Sequence, residues 1–484
     1  MPRRNVYTPE EQRILDHIAE IGDEIHGWQK DQPKRIANSE SIINYNTWSD
    51  PWSPIWTDEA YARNSRWGGI VAYPLYVDRF DMMNYNLLLE GEPATRAMMC
   101  NHYGGQFTQY KQIYVGDEMR VFQKHPRLIE TLEDDEEHEG PRAWGYIQRD
   151  CDIYNQRGEL VANHKHCLDA VLYDKPRAQR YEMPPFKDHW YTDNQNKWML
   201  DISDNEFRRG ADTLYWEDVK VGEALGHTTL GAIRLWDMVS WFAVKEEEPL
   251  WPTRLYRERR GATFTNPYDN AQRFGIEWHF AADMSNLMAN PRAVCFSDSC
   301  RNQLCRVATN WMGDDGMVVY HRNLHFMQTP HWDCMVGCGR VIGKRIEGGR
   351  YLVDLETWLY DMCRGNVTDA ARCTVELPSR GDGAQGKASP APADFEEALE
   401  LPARDSLPVG TRVRLHAPKS MEWWPDEEYP LEGVEGTVFH KYLWREALGE
   451  FTSFVDVLLD PETSKNPLGI GNELTFRLDQ VEVL

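Results

Sequence analysis

The sequence predicts an α+β protein made of two similar halves and followed by a small β-barrel. Three observations carry that prediction. First, GDEMRVFQKHPRLIE and then WGYIQRDCDIYNQRGELVANHKHCLDAVLY in the first half repeat the pattern of HWDCMVGCGRVIGKRIEGGR and then YLVDLETWLYDMCRGNVTDAARCTVELP in the second. Each reads as a strand, a turn, a second strand ending in an Arg-Gly turn, and a third strand. Arg157-Gly158 and Arg364-Gly365 hold equivalent turns, where glycine tolerates the positive φ that the reversal needs. Second, a helical segment lies upstream of each strand group, at 70–90 and at 298–312. One helix wrapped by an antiparallel sheet, twice over, is an α+β architecture. Third, the strand candidates GTRVRLH, GVEGTVFHKY, SFVDVLLD and ELTFRLDQVEVL follow one another closely near the C-terminus, as in a small barrel.

The elements follow in order. Residues 1–39 form an N-terminal helical extension. Thr8-Pro9-Glu10-Glu11 is a capping box with proline in the first turn, and Ile14, Ile18, Ile21 and Ile25 make one apolar stripe at helical spacing. The first half covers 40–174 and includes the acidic loop EDDEEHE (133–139), a solvated hairpin extension. A connector rich in Pro, Asp, Asn and Lys spans 175–210, and the second half spans 211–378. The Gly/Ala/Pro/Ser-rich stretch 379–405 is a flexible linker, and the barrel occupies 406–484.

Composition excludes whole classes of partner. Acidic residues number 77 against 53 basic, a net charge of −24, whereas nucleic acid and anionic membranes both demand a basic footprint. An anionic ligand would need a local patch such as Arg254, Arg257, Arg259 and Arg260. No apolar run is long enough to span a bilayer, and the N-terminus lacks the apolar stretch of a signal peptide. The ten cysteines are therefore expected as reduced thiols in a cytoplasmic protein. Cys334-x3-Cys338 has a zinc-like gap, but its alternation with Met335 and Val336 suits a strand, and no metal is expected. His164-x-His166 and His321-x3-His325 lie on strand-like segments with no third ligand in view.

Two segments draw attention as sites. In SDPWSPIWTDEAYARNSRWGGIVAYP (49–74), Asp50 precedes a Pro-Ile step, Trp56 follows it, Thr57 reads as a helix cap and Gly68-Gly69 as a turn. In His102-Tyr103-Gly104-Gly105, the glycines permit close backbone approach to a ligand carbonyl, or else mark a hairpin turn. ATNWMGDDG (308–316) ends the second core helix, with Gly313 as its C-cap.

PIWTDEAYARNSRWGGIVAYP and IYVGDEMRV in the first half, with YWEDVKVGEALG, ATNWMGDDG and GRVIGKRIEGGRYLVDLETW in the second, resemble the MaoC-like acyl dehydratases and hydratases. The resemblance covers about 40–378 and implies a tandem (double) hot-dog fold, with a dehydratase-like N-terminal half. The last unit resembles SH3-like barrels more loosely, including that of the nitrile hydratase β-subunit. The implied chemistry is addition or removal of water across the double bond of an enoyl thioester. Coenzyme A is then part of the substrate, and no other cofactor is implied. Pairing into a homodimer or hetero-oligomer through the hot-dog sheets or the barrel is expected from the family.

The family motif pairs a carboxylate with a histidine five residues on, around Asn-Pro-(Ile/Leu)-His. Asp50 matches the carboxylate, but Ser53-Pro54-Ile55-Trp56 replaces the rest and removes the imidazole. This half is expected to be non-catalytic, with Trp56 shaping a pocket. In the second half His279 falls where the family places its histidine, although Phe274 stands five residues upstream. Glu277, Asp283 and Asp298 are the nearby carboxylates. The expected catalytic set is His279, Asp298, Glu277 and Asp50; the expected substrate-binding set is Trp56, Trp278, His102, Tyr103 and Gly104. The load of 19 Trp, 22 Tyr and 16 Phe suggests a bulky or aromatic acyl group. Two alternatives stand beside this reading: thioester hydrolysis on the same fold, and a non-catalytic binding subunit whose MEWWPDEEYP loop meets a partner.

Overall fold

The computed structural model describes residues 25–28, 35–79, 98–124, 127–131, 143–172, 190–245, 263–265, 271–286, 292–381, 407–418, 429–439, 451, 453–461 and 473–484. The Thr8 capping box with Ile14, Ile18 and Ile21, the 133–139 loop, the four arginines at 254–260 and most of the 379–405 linker lie outside these residues. The chain divides into two compact units. One comprises Met1–Trp52, Gly69–Met183 and Arg234–Ser297; the other comprises Ser53–Gly68, Pro184–Ile233 and Asp298–Leu484.

The first unit is built on four antiparallel strands: β1 (Met98–Gln109), β2 (Glu118–Lys124), β3 (Ala143–Tyr154) and β4 (Leu160–Leu172). Their order in the sheet is β2-β3-β4-β1. Residues Ile25–Trp28 pair with β2 as a strand, so the apolar stripe that begins at Ile14 is no longer helical at Ile25. The helical segment expected over 70–90 is, in its described part, a six-residue 3-10 helix, Pro74–Arg79. Helix α1 (Ser39–Ser49) starts at Asn38, whose side chain accepts from Ser41 N. It packs against α2 (Leu235–Lys245), where Trp241 meets Trp48 at 4.1 Å and Tyr45 at 5.4 Å between ring centroids. Asn46 ties α1 to the next segment, donating to Val71 O and accepting from Tyr73 N.

The second unit repeats that sheet. Strands β5 (Met317–His325), β6 (Met335–Glu347), β7 (Arg350–Asp361) and β8 (Val367–Glu376) pair in the order β6-β7-β8-β5, again antiparallel. Gly158 and Gly365 sit at φ 75° and 78° between the corresponding strands, as the repeated Arg-Gly turns predict. Helix α3 (Ser297–Met312) lies against β6. Gly339 lets it approach: a β-carbon there would stand 3.0 Å from Val307 Cγ1 and 2.7 Å from Leu225 Cδ1. Gly313, at φ 74°, ends the helix. The following Asp314 is more than a turn residue, since it accepts from Tyr61 Oη at 2.6 Å and, through its carbonyl, from Trp67 Nε1 at 2.8 Å. Burial first, and then Asp314, push the Tyr61 phenol up to about 12. The helix cap within 53–68 is Asp58, not Thr57, because Asp58 accepts from Ala60 N and Tyr61 N. Within 175–210 the chain forms a helix, Asp193–Asp204, opened by a Thr192/Gln195 capping box.

The C-terminal strands β9 (Arg412–Leu415), β10 (Glu435–Phe439), β11 (Phe454–Leu459), β12 (Glu473–Arg477) and β13 (Val481–Val483) pair in the order β12-β11-β10-β9-β13. This module docks on the sheet of the second unit. Glu356 on β7 is fully buried and ion-paired with Arg340, Arg372 and Arg477, the last from β12. Its burial would raise its pKa, but the three guanidinium groups hold it down to about 2. Tyr429 and Gln480 both donate to Gly365 O, at 2.9 and 2.8 Å. Tyr429, the one described aromatic of the MEWWPDEEYP loop, is therefore buried against the chain's own turn. No helix among the described residues is long and apolar enough to cross a membrane.

Candidate functional site

The candidate residues fall in both units. In the first, a 3-10 helix (Gly275–His279) delivers Trp278 and His279, both buried. His279 Nδ1 lies 2.9 Å from Val294 O. A carbonyl only accepts, so Nδ1 carries the hydrogen and the neutral ring keeps its basic lone pair on Nε2. The imidazole stacks on Phe296 at 4.0 Å and meets Trp278 at 4.5 Å, and Phe242 and Phe280 lie about Phe296 at 6.0 and 5.8 Å. Glu277 lies in the first turn of the same 3-10 helix and is half-buried.

Asp50 is fully buried at the C-terminal end of α1, where its N–H donates to Asn46 O at 2.8 Å. His102, Tyr103 and Gly104 lie inside β1 rather than in a hairpin turn. The register slips between His102 and Gly104, which leaves Tyr103 as a bulge residue. A bulge explains why a Gly pair that looks like a turn signal belongs to a strand.

In the second unit, Trp56 is buried in a four-residue helix, Pro54–Thr57. Asp298 occupies the first turn of α3, buried, with its carboxylate 3.6 Å from Arg301.

Two histidine–aspartate pairs escaped the sequence reading. His164 Nε2 is 3.3 Å from Asp78 Oδ1 in the first unit, with the His166 ring 5.5 Å from that of His164. In the second unit His325 Nδ1 donates to Asp369, its register partner across β5 and β8, while Asn323 lies 3.2 Å from Nε2. The strand-spaced histidines were visible, but their acidic partners sit on other elements. His321 is fully buried, and burial together with Arg301 lowers its pKa to about 3. That ring is neutral at physiological pH.

The chain's likeness to known proteins lies in its structure. A MaoC-like dehydratase superposes with a TM-score of 0.50 at 15% identity, covering 74% of this chain and all 100% of that one. A putative MaoC domain dehydratase from Chloroflexus aurantiacus gives 0.43 at 11% identity, covering 74% and 96%. A conserved hypothetical protein from Mycobacterium tuberculosis with a double hotdog fold gives 0.41 at 11%, covering 73% and 96%. No family model and no curated protein matches the sequence. At 15% identity the first likeness shows the fold alone, and it fits the α+β arrangement described above.

Proposed function

We propose that the protein is a hydro-lyase that adds water to, or removes it from, an acyl group carried as a coenzyme A thioester. The observation that supports this most is the state of His279: buried among aromatic rings, with Nδ1 anchored to Val294 O and the basic lone pair on Nε2. In the hydration direction Nε2 takes a proton from water as the water oxygen bonds to the β-carbon. The double-bond electrons move toward the thioester carbonyl, and a carboxylic acid returns a proton to the α-carbon. Glu277 and Asp50, in the same unit as His279, are the carboxyl candidates for that return. Trp278 and the β1 backbone at His102, Tyr103 and Gly104 are the candidate contacts for a bulky or aromatic acyl group. The five-strand order of the C-terminal module, with a 3-10 turn (Leu478–Gln480) before its last strand, supports the SH3-like reading. A coenzyme A thioester as substrate, with no further cofactor, and a cytoplasmic setting complete the proposal.

The test is turnover of a panel of enoyl-CoA thioesters by wild type and His279→Ala. Loss of an acid–base group lowers kcat by about 10²–10⁴-fold. Equal turnover by the variant would remove His279 from the chemistry. Wild type that hydrates none of the panel removes the activity, and release of free coenzyme A instead points to thioester hydrolysis.

A further inference from the structure

We propose that Asp333, Asp361 and Cys363 form a divalent-cation site, zinc by ligand chemistry, at the root of the Arg364-Gly365 turn. The cysteine sulfur and one oxygen of each carboxylate lie within 4.8 Å of one another. All three residues are buried, and both aspartates are fully so. A thiolate with carboxylates is a donor set suited to zinc, and modest closure would bring these atoms to zinc–ligand distances.

A second observation separates this group from an ordinary acidic cluster. Arg364 reaches Asp333 Oδ2 through Nη2 at 2.5 Å and Asp361 Oδ2 through Nε at 2.8 Å. Asp361 Oδ1 accepts from Cys363 N and Arg364 N. Asp333 Oδ1, by contrast, is buried and accepts no hydrogen bond. An acceptor of that kind, left bare in a water-free interior, is costly.

The position gives the ion a task. Asp333 precedes β6, while Asp361 ends β7 and Cys363 lies in the turn between β7 and β8. Tyr191, from the segment before the Asp193–Asp204 helix, accepts from Cys363 Sγ at 3.2 Å and donates to Trp332 O. The same turn presents Gly365 O to Tyr429 and Gln480 of the C-terminal module. A cation there would fasten three stretches of chain beneath the surface on which the module docks.

The experiment uses the full chain, purified without a histidine tag or chelator. Elemental analysis should find about one equivalent of zinc, or the protein should take up that amount on dialysis. Cobalt in place of zinc should give a near-ultraviolet thiolate-to-metal band. Zinc should protect Cys363 from alkylation, as read by peptide mass mapping, and should raise Tm. Cys363→Ser and Asp333→Asn should abolish the band and the Tm response. The proposal is overturned if wild type holds no stoichiometric zinc, because the site then carries a shared proton instead. It is also overturned if cobalt binds without the thiolate band, or if Cys363 alkylates equally fast with and without zinc. These last readings need only wild type, so a variant that fails to fold does not shelter the idea.

Discussion

The two Arg-Gly turns are one sequence device in two settings. Arg157-Gly158 stands in the open: Arg157 pairs with Glu159 at the surface, and a β-carbon on Gly158 would meet nothing within 4 Å. Arg364-Gly365 is enclosed. Its arginine is 2% exposed between two buried aspartates, and a β-carbon on its glycine would stand 2.5 Å from Tyr429 Cε2. Both glycines exist for their positive φ. Only the second has been covered, by the C-terminal module. A surface reversal has thereby become part of a core, and its charges have changed from solvated ornaments into obligatory partners.

That contrast is open to attack by mutation. The largest effect is expected at Arg364. Arg364→Met strands two buried carboxylates and should cost about 3–5 kcal/mol in urea unfolding, whereas Arg157→Met should leave the midpoint where it is. Equal effects at the two arginines would erase the distinction.

Acid should report on the buried charges next. The folded-state pKa of Glu356 is lowered from 4.5 to about 2. Its stabilisation is therefore present above pH 4.5 and lost as pH falls from there toward 2. The linked contribution is roughly 3 kcal/mol. Glu356→Gln should lower stability at neutral pH and flatten the acid limb between pH 4.5 and 2. An acid limb of unchanged slope in the variant would mean that Glu356 does not hold the module in place.

The difference between the two glycines sharpens the comparison most directly. Gly158→Ala meets only the backbone penalty for a left-handed residue, about 1–2 kcal/mol. Gly365→Ala adds a clash with the Tyr429 ring, and should cost about 1–3 kcal/mol more. Pairing Gly365→Ala with Tyr429→Ala should bring the clash part back toward the Gly158 value.

Much of the fold was legible in the chain. The strand–turn–strand repeats, the Arg-Gly reversals and the 298–312 helix follow from period and turn chemistry, which are local properties. Gly104-Gly105 carries the local signal of a turn, and only the β4 partner distinguishes the bulge at Tyr103 from one. Ile25 continued a helical stripe in sequence, yet pairs with Lys124 across a sheet. At the candidate site, His279 could be singled out by resemblance, but not the Val294 carbonyl that sets its tautomer. The pairs Asp78–His164 and Asp369–His325 each join residues more than forty positions apart, where no spacing rule reaches.

The sequence by itself determined the repeated α+β halves, the reversals between their strands and the acidic character, since each depends on neighbours within a few residues or on totals. Tertiary structure alone decided that 53–68 belongs with the second unit, through Tyr61 and Trp67 on Asp314. It also decided that Tyr429 and Arg477 close over the second sheet. Burial and charge pairing are properties of what lies opposite in space. A chain written in one dimension names the participants and leaves their meeting to the fold.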